Sequence, residues 1–406
     1  MNTAVIDRSV ASTLNNLKVI DVDTHWSEPL DLWTSRATPK YRDRVPQMKQ
    51  TGGKYVWTID GEISMGLGSA SSVIHATGRK AEGIEFSQWL VSDVHPGCSQ
   101  AKPRLAVMDE AGIYAQILYP NVLGFAGQGK MMAGGEVARL VDEDLRLVST
   151  QIYNDAGAEM QAESNSRLMP MALLPWWDIK LAVKEAERCH AMGMRGVNIN
   201  SDPHLNGMKD LSDDCWTPLW DFCSDTGLPV NFHIGASEAS VAWFGDSPYP
   251  SMSPAEKLAV GSTMMFISNA RILSNLIISG LLERFPKLKF VSVESGIGWM
   301  PFILEALEYQ LHESGAIGHG KLSMTPLEYF RRQIFACFWF EKRDFAADAR
   351  RLGIDNVMFE TDFPHPTCLY PEPLSTVEEA LHGLNEEERR KVLSLNAARC
   401  YNIPLD

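Results

Sequence analysis

Eight short runs of β-branched and apolar residues punctuate this chain, each followed by a stretch with helical spacing, and that alternation limits the folds open to it. The runs are Val19–Asp23, Ala115–Tyr119, Leu168–Leu174, Gly196–Asn200, Val230–His233, Leu288–Glu294, Ile334–Phe338 and Val357–Thr361. Between them, Gly135–Gln161 and Ile179–Met192 carry apolar residues three and four apart, and Cys215–Thr226 stops at Gly227 with Pro229 beyond. Strand, helix and strand repeated in this way imply parallel strands joined by right-handed crossovers. The expected fold is α/β, a (β/α)8 TIM barrel.

A barrel of this kind needs about 250 residues, and the chain has 406. Two connections hold much of the excess. Residues 26–103, with turns at Gly52-Gly53 and Gly66–Ser72 around Tyr55-Val56-Trp57, are expected to form a small β-rich cap after the first strand. A long loop from Gly235 to about Ala255, rich in Ser, Pro and aromatic residues, follows the fifth. Both start at C-terminal ends of strands, the face on which barrel active sites form. Residues 1–17 are expected to be a loose tail and not a signal peptide, because they lack an apolar segment; residues 18–406 are read as a single domain.

The formal net charge of −14 leaves no basic face for nucleic acid or an anionic membrane. No run reaches the roughly 20 apolar residues of a membrane span. Seven scattered cysteines without a Cys-x-x-Cys pair suit reduced thiols, so a cytoplasmic location is expected and a small molecule is the expected partner.

The strand ends carry the chemistry. Alternation sends Asp23 and His25 to one face at the end of the first strand, with Asp21 deeper on the same face in a supporting role. The fifth strand ends in His233, the sixth in Glu294, and the eighth in Glu360-Thr361-Asp362. Asp, His and Glu at four strand ends, in a core that otherwise reads Val, Ile, Phe and Leu, point to a site for one divalent cation.

The combined motifs resemble the amidohydrolase superfamily, in the branch of aminocarboxymuconate-semialdehyde decarboxylase and the non-oxidative hydroxybenzoate decarboxylases. Asp23-Thr24-His25 resembles the family's opening His-x-His or Glu-x-His motif. Leu281–Lys289 is similar to its passage into the sixth strand, Arg104–Ile113 to its helix before the second, and Phe359–Pro364 to its Gly-Thr-Asp-aromatic-Pro signature. The resemblance implies metal ligands at Asp23, His25, His233 and Asp362, with Zn²⁺ as first choice and Mn²⁺ as second. It also implies Arg104 as a contact for a substrate carboxylate, and a homodimer or higher homo-oligomer; the apolar Ile267–Leu282 segment is the candidate surface.

One departure bears on the reaction. Where the decarboxylases carry a His at the end of the sixth strand, this chain has Glu294. A carboxylate ionised beside a cation is suited to taking a proton from water. The first expectation is therefore a metal-dependent hydrolase with Glu294 and Asp362 as catalytic groups and metal-activated water as nucleophile, acting on a small aromatic or carboxylate-bearing substrate. The alternative is non-oxidative decarboxylation or C–C cleavage of a hydroxylated aromatic or muconate-like acid, with Asp362 protonating carbon. A third reading is a barrel that has lost catalysis and serves as a binding subunit. His204, His365, Trp176 and Trp299 are the remaining candidate substrate contacts.

Overall fold

The computed structural model describes residues 17–51, 54–123, 140–237, 249–316 and 321–405, together with residues 10, 13, 14 and 239. Each of the eight runs contains strand: Ile20–Trp26, Ala115–Pro120, a third strand broken at Met171 into Leu168–Pro170 and Ala172–Leu173, then Val197–Asn198, Val230–His233, Phe290–Val293, Ile334–Phe338 and Val357–Phe359. All neighbouring pairs are parallel. Met171 N–H reaches Leu118 O at 2.9 Å while Ala172 N–H reaches Gly196 O at 3.0 Å, so the third strand joins both sheets. The first and eighth strands meet at a second seam, where Asp362 N–H donates to Asp23 O at 2.9 Å and Thr24 bridges Phe363. The expected (β/α)8 barrel is the fold.

Alternation divides the strand residues between two buried layers. Val22, Ile117, Met171, Val291, Val293, Cys337 and Met358 fill the lumen, and Ala397, Cys400 and Tyr401 of the helix Asn396–Tyr401 pack with them. Tyr401 Oη donates to Asn231 Oδ1 at 2.8 Å, and the Tyr119 hydroxyl donates to the same oxygen at 3.2 Å. Leu118, Val197, Val230, Phe232, Phe290 and Phe359 face the helices instead.

Several helices start at side-chain caps. Asp178 accepts from Lys180 and Leu181 N–H at the head of Ile179–Ala191, and Asp142 accepts from Leu145 N–H at the head of Glu143–Glu163. The first residues of the expected 135–161 helix, 135–139, lie outside the described residues. Of the expected interface segment, Ile272, Leu273, Leu276 and Ile277 of Asn269–Ile278 pack into the chain's own core, while Arg271 and Asn275 face outward. The apolar side chains left exposed are elsewhere and include Phe302, Tyr309 and Phe340.

The insertion after the first strand contains a three-stranded antiparallel sheet, Gln47–Thr51, Lys54–Ile59 and Ile63–Leu67. Trp57 packs edge-on against Trp33 at 5.8 Å, and Trp33 Nε1 donates to Ser149 O. Farther along, Val73, Ile74, Phe86 and Cys98 pack on Phe363 and Cys368, and Val73 N–H donates to Pro364 O at 2.9 Å. The insertion thus grips the turn that follows the eighth strand. Within the expected tail Val10 and Thr13 are buried; residues 238 and 240–248 of the loop after the fifth strand lie outside the described residues.

The break in the third strand depends on Asn154. Its Oδ1 accepts Leu173 N–H at 2.9 Å, and its Nδ2 donates to Leu173 O at 2.9 Å and to Glu185 Oε1 at 2.7 Å. Asn154→Ala takes these partners from Leu173 N–H and O, while Glu185 keeps Arg188, so urea unfolding should show a loss of about 2–4 kcal/mol.

Candidate metal centre

Asp23 and His25 reach the ring of strand ends because the first strand carries a bulge. Against the second strand Asp21 pairs with Gln116 but Thr24 pairs with Leu118, so one extra residue lies between them. The alternation restarts there. Val22 ends the apolar lumen, Asp23 and His25 turn inward above it, and Thr24 points away with its hydroxyl on Ile117 O at 2.7 Å. Asp21 consequently does not share the Asp23 face. Its carboxylate accepts from Thr361 N–H at 2.9 Å, Thr361 Oγ1 at 2.7 Å and Gln116 Nε2 at 3.0 Å, and burial pushes it up to about 7.

Glu294 and Asp362 turn inward by another route. Both have left-handed backbone, φ 53° and 58°, a conformation that non-glycine residues hold only where their surroundings enforce it. Val293 already faces the lumen, and plain alternation would send Glu294 outward. The left-handed turn brings it back.

The resulting cluster is buried and compact. One ligand atom each from Asp23, His25, His233 and Glu294 lies within 4.8 Å of the others, and the same holds for His25, Glu294, Asp362 and His365. His233 Nε2 is 3.3 Å from Asp23 Oδ1 and 3.5 Å from Glu294 Oε2; His25 Nε2 is 3.6 Å from both Asp23 Oδ1 and Asp362 Oδ1. The opposite nitrogens are tied back to backbone carbonyls, His25 Nδ1 to Pro120 O at 3.2 Å and His233 Nδ1 to Ile234 O at 2.7 Å. That arrangement leaves each Nε2 lone pair facing inward, as ligating histidines require.

The electrostatics call for a cation. Burial, with Asp362, Asp23 and Glu360 nearby, pushes the Glu294 carboxyl well above the ordinary carboxylate range. Burial also raises Asp23 against the pull of His233, and holds His25 well below its usual value with help from His365 and His233. Asp23 Oδ2, His25 Nε2 and Asp362 Oδ1 are buried without a hydrogen-bond partner among the described residues. Three carboxylates and two imidazoles brought together in this way fit a divalent ion of hard or borderline character.

His365 joins this cluster more closely than its place in a turn suggested. Its ring stacks on His25 with centroids 3.6 Å apart, and its Nδ1 lies 3.1 Å from Asp362 Oδ1. Its Nε2 lies 2.6 Å from Asn121 Oδ1, while Asn121 Nδ2 donates to Ser27 Oγ at 3.2 Å. The Asn121 loop is fixed by Glu28, whose buried carboxylate accepts N–H groups of Asn121 at 3.2 Å, Val122 at 2.9 Å and Leu123 at 3.5 Å. Asn121 and Glu28 were not among the sequence candidates, although Asn121 immediately follows the second strand and the rule of strand ends could have found it.

The four other expected substrate contacts lie outside the two ligand groups. Arg104 lies behind the first two strands: Nη1 donates to His25 O and Nε to Gln116 Oε1, both at 2.8 Å, with the guanidinium 4.6 Å over Phe363. It fixes the His25 backbone and is buried, which pushes it down to about 10. His204 is exposed in the 3₁₀ turn Pro203–Asn206 and joins neither cluster. Trp176 is buried edge-on against Trp177, over which Arg146 sits at 3.7 Å. Trp299 is half-buried and donates to Ser295 O at 2.8 Å in the turn after Glu294.

Sequence comparison adds to this geometry. A model of the amidohydrolase family matches residues 20–403. The chain is 23% identical over 270 residues to a gamma-resorcylate decarboxylase from Polaromonas sp., covering 64% of this chain and 76% of that protein. Among solved structures, an amidohydrolase from Mycobacterium avium subsp. paratuberculosis superposes with a TM-score of 0.71 at 24% identity, covering 95% of this chain and 99% of that one. A dihydroxybenzoic acid decarboxylase from Polaromonas sp., with bound manganese and the inhibitor 2-nitroresorcinol, superposes with a TM-score of 0.56 at 16% identity, covering 95% and 97%.

Proposed function

The chain belongs to the amidohydrolase family, and we propose that it is a divalent-metal-dependent, non-oxidative decarboxylase of a hydroxylated aromatic acid. The observation that carries this reading is the line Asn121–His365–Asp362. An amide oxygen only accepts, so Asn121 Oδ1 places a hydrogen on His365 Nε2. His365 Nδ1 then faces Asp362 Oδ1 across 3.1 Å, a separation over which a proton can pass between base and carboxyl. Loss of carbon dioxide from a hydroxybenzoate leaves a ring carbon in need of one proton, and this pair delivers it from Asp362 Oδ1 and regains it from water. Hydrolysis asks the reverse, a group ready to strip a proton from water. The similarity to named decarboxylases supports the same choice over the hydrolase expected from Glu294 alone.

In this reading Asp23, His25, His233 and Asp362 hold the ion, and Glu294 joins them instead of acting as a base. A divalent ion held there supplies a Lewis acid for the carboxylate and phenolic oxygens of the substrate. Three carboxylates against two imidazoles favour Mn²⁺ over the expected Zn²⁺, and the manganese in the Polaromonas decarboxylase structure supports that order.

The test is turnover of a panel of ortho-hydroxybenzoates by Mn²⁺-loaded protein in D₂O. Carbon dioxide release with one deuterium at the vacated ring carbon is expected. Hydrolysis of amides or lactones without gas release would restore the hydrolase reading.

A further inference from the structure

Glu360 is a buried carboxyl where the resembling signature has Gly, one inward position below Asp362 on the eighth strand. Its lumen neighbours include Cys337 and Met358, and a carboxyl is costly in such surroundings unless it does something there. Its Oε2 accepts the backbone N–H of Glu294 at 3.2 Å across the barrel wall. The turn beyond Glu294 is held from its other end by Glu341, whose Oε1 accepts N–H groups of Ile297 at 2.5 Å and Gly298 at 3.2 Å. Gly296 in that turn has φ 68°, and a Cβ there would lie 2.6 Å from Glu341 Oε1. Two buried carboxylates thus clasp the segment 294–298 while Glu294 keeps its left-handed backbone.

We propose that Glu360 is a positioning residue for Glu294: its hydrogen bond holds the Glu294 backbone in the turn that aims the carboxylate into the ligand ring. The Glu at the end of the sixth strand and the Glu two residues before Asp362 are then one linked departure from the family pattern. The inference rests on the reading of Glu294 as a member of the metal ring.

The experiment is a thermodynamic cycle read by Mn²⁺ binding in calorimetry, which needs no substrate. Glu294→Ala should weaken Mn²⁺ binding at least about 10-fold, and Glu360→Met, which keeps the volume but removes the acceptor, about 10- to 100-fold. Glu360→Gln, whose amide oxygen still accepts the N–H, should stay within about threefold of wild type. The double variant Glu294→Ala/Glu360→Met should bind no more weakly than Glu294→Ala alone, because Glu360 acts through Glu294. A Glu360→Met protein that binds Mn²⁺ like wild type, a Glu360→Gln protein as weak as Glu360→Met, or additive losses in the double variant would overturn the proposal. Wild-type affinity in Glu294→Ala would instead overturn the place of Glu294 in the ring. Should Glu360→Met not fold, Glu360→Ala removes the same acceptor with less crowding and takes its place in the cycle.

Discussion

Asp362→Asn protein is expected to lose about 100- to 10,000-fold in kcat on its best hydroxybenzoate, the range over which a positioned acid or base contributes. The substitution preserves shape but removes two functions. An amide cannot share a proton with His365 Nδ1, 3.1 Å away, and it offers the ion a neutral oxygen in place of a charged one. Bound metal, measured by elemental analysis, should fall together with kcat. Asn at this position with full turnover and full metal content would remove both the proton pair and the proposed ligand. His365→Gln separates the two roles: it should lower kcat strongly while leaving metal content near wild type.

Stripping the ion should lower the melting temperature, and the deficit should grow as the pH is raised. In the metal-free fold, burial lifts Asp23, Glu294 and Glu360 above the values they take in the unfolded chain. The folded state then keeps protons that the unfolded state has released, so stability falls as pH rises from the ordinary carboxylate range through the raised values. His25 runs the other way. Its depressed value costs stability only below its unfolded value near 6.5, so it does not oppose the carboxylates above that pH. Added Mn²⁺ binds the deprotonated groups and reverses the loss, by about 4 kcal/mol when its concentration is a thousand times the dissociation constant. Melting curves at pH 7 and pH 9, with chelator and with Mn²⁺, test this; a metal-induced shift that shrinks with rising pH would contradict it.

Much of this was legible in the sequence. The eight runs are the eight strands, because a barrel buries both faces of every strand and so writes each as an apolar stretch. Asp23, His25, His233 and Asp362 stood out because they interrupt that apolarity at strand ends, and the structure gathers them. Where alternation failed, the cause is a local break in periodicity. Alternation put Asp21 beside Asp23, but a bulge of one residue separates them. Glu294 was named from its place at a strand end and lies in the cluster, although a left-handed turn and not alternation brings it there. Arg104 was assigned from the resemblance of its helix to the family's, and that resemblance does not tell which side of the strand the helix covers. Asn121 and Glu28 belong to no motif, Glu360 departs from the motif it sits in, and their roles come from partners 66 to 244 positions away in sequence.

The seam between the first and eighth strands also sets an order of events during synthesis. Asp23 and His25 leave the ribosome early, yet their partners Asp362 and His365 follow some 340 residues later, and Asp362 N–H must dock on Asp23 O to close the wall. Until then the nascent chain can offer an ion only part of the ring. In the proposed reading, loading with metal is therefore a late step, coupled to closure of the barrel, and a ribosome stalled before the eighth strand would carry a chain with most of its helices but no complete place for the ion.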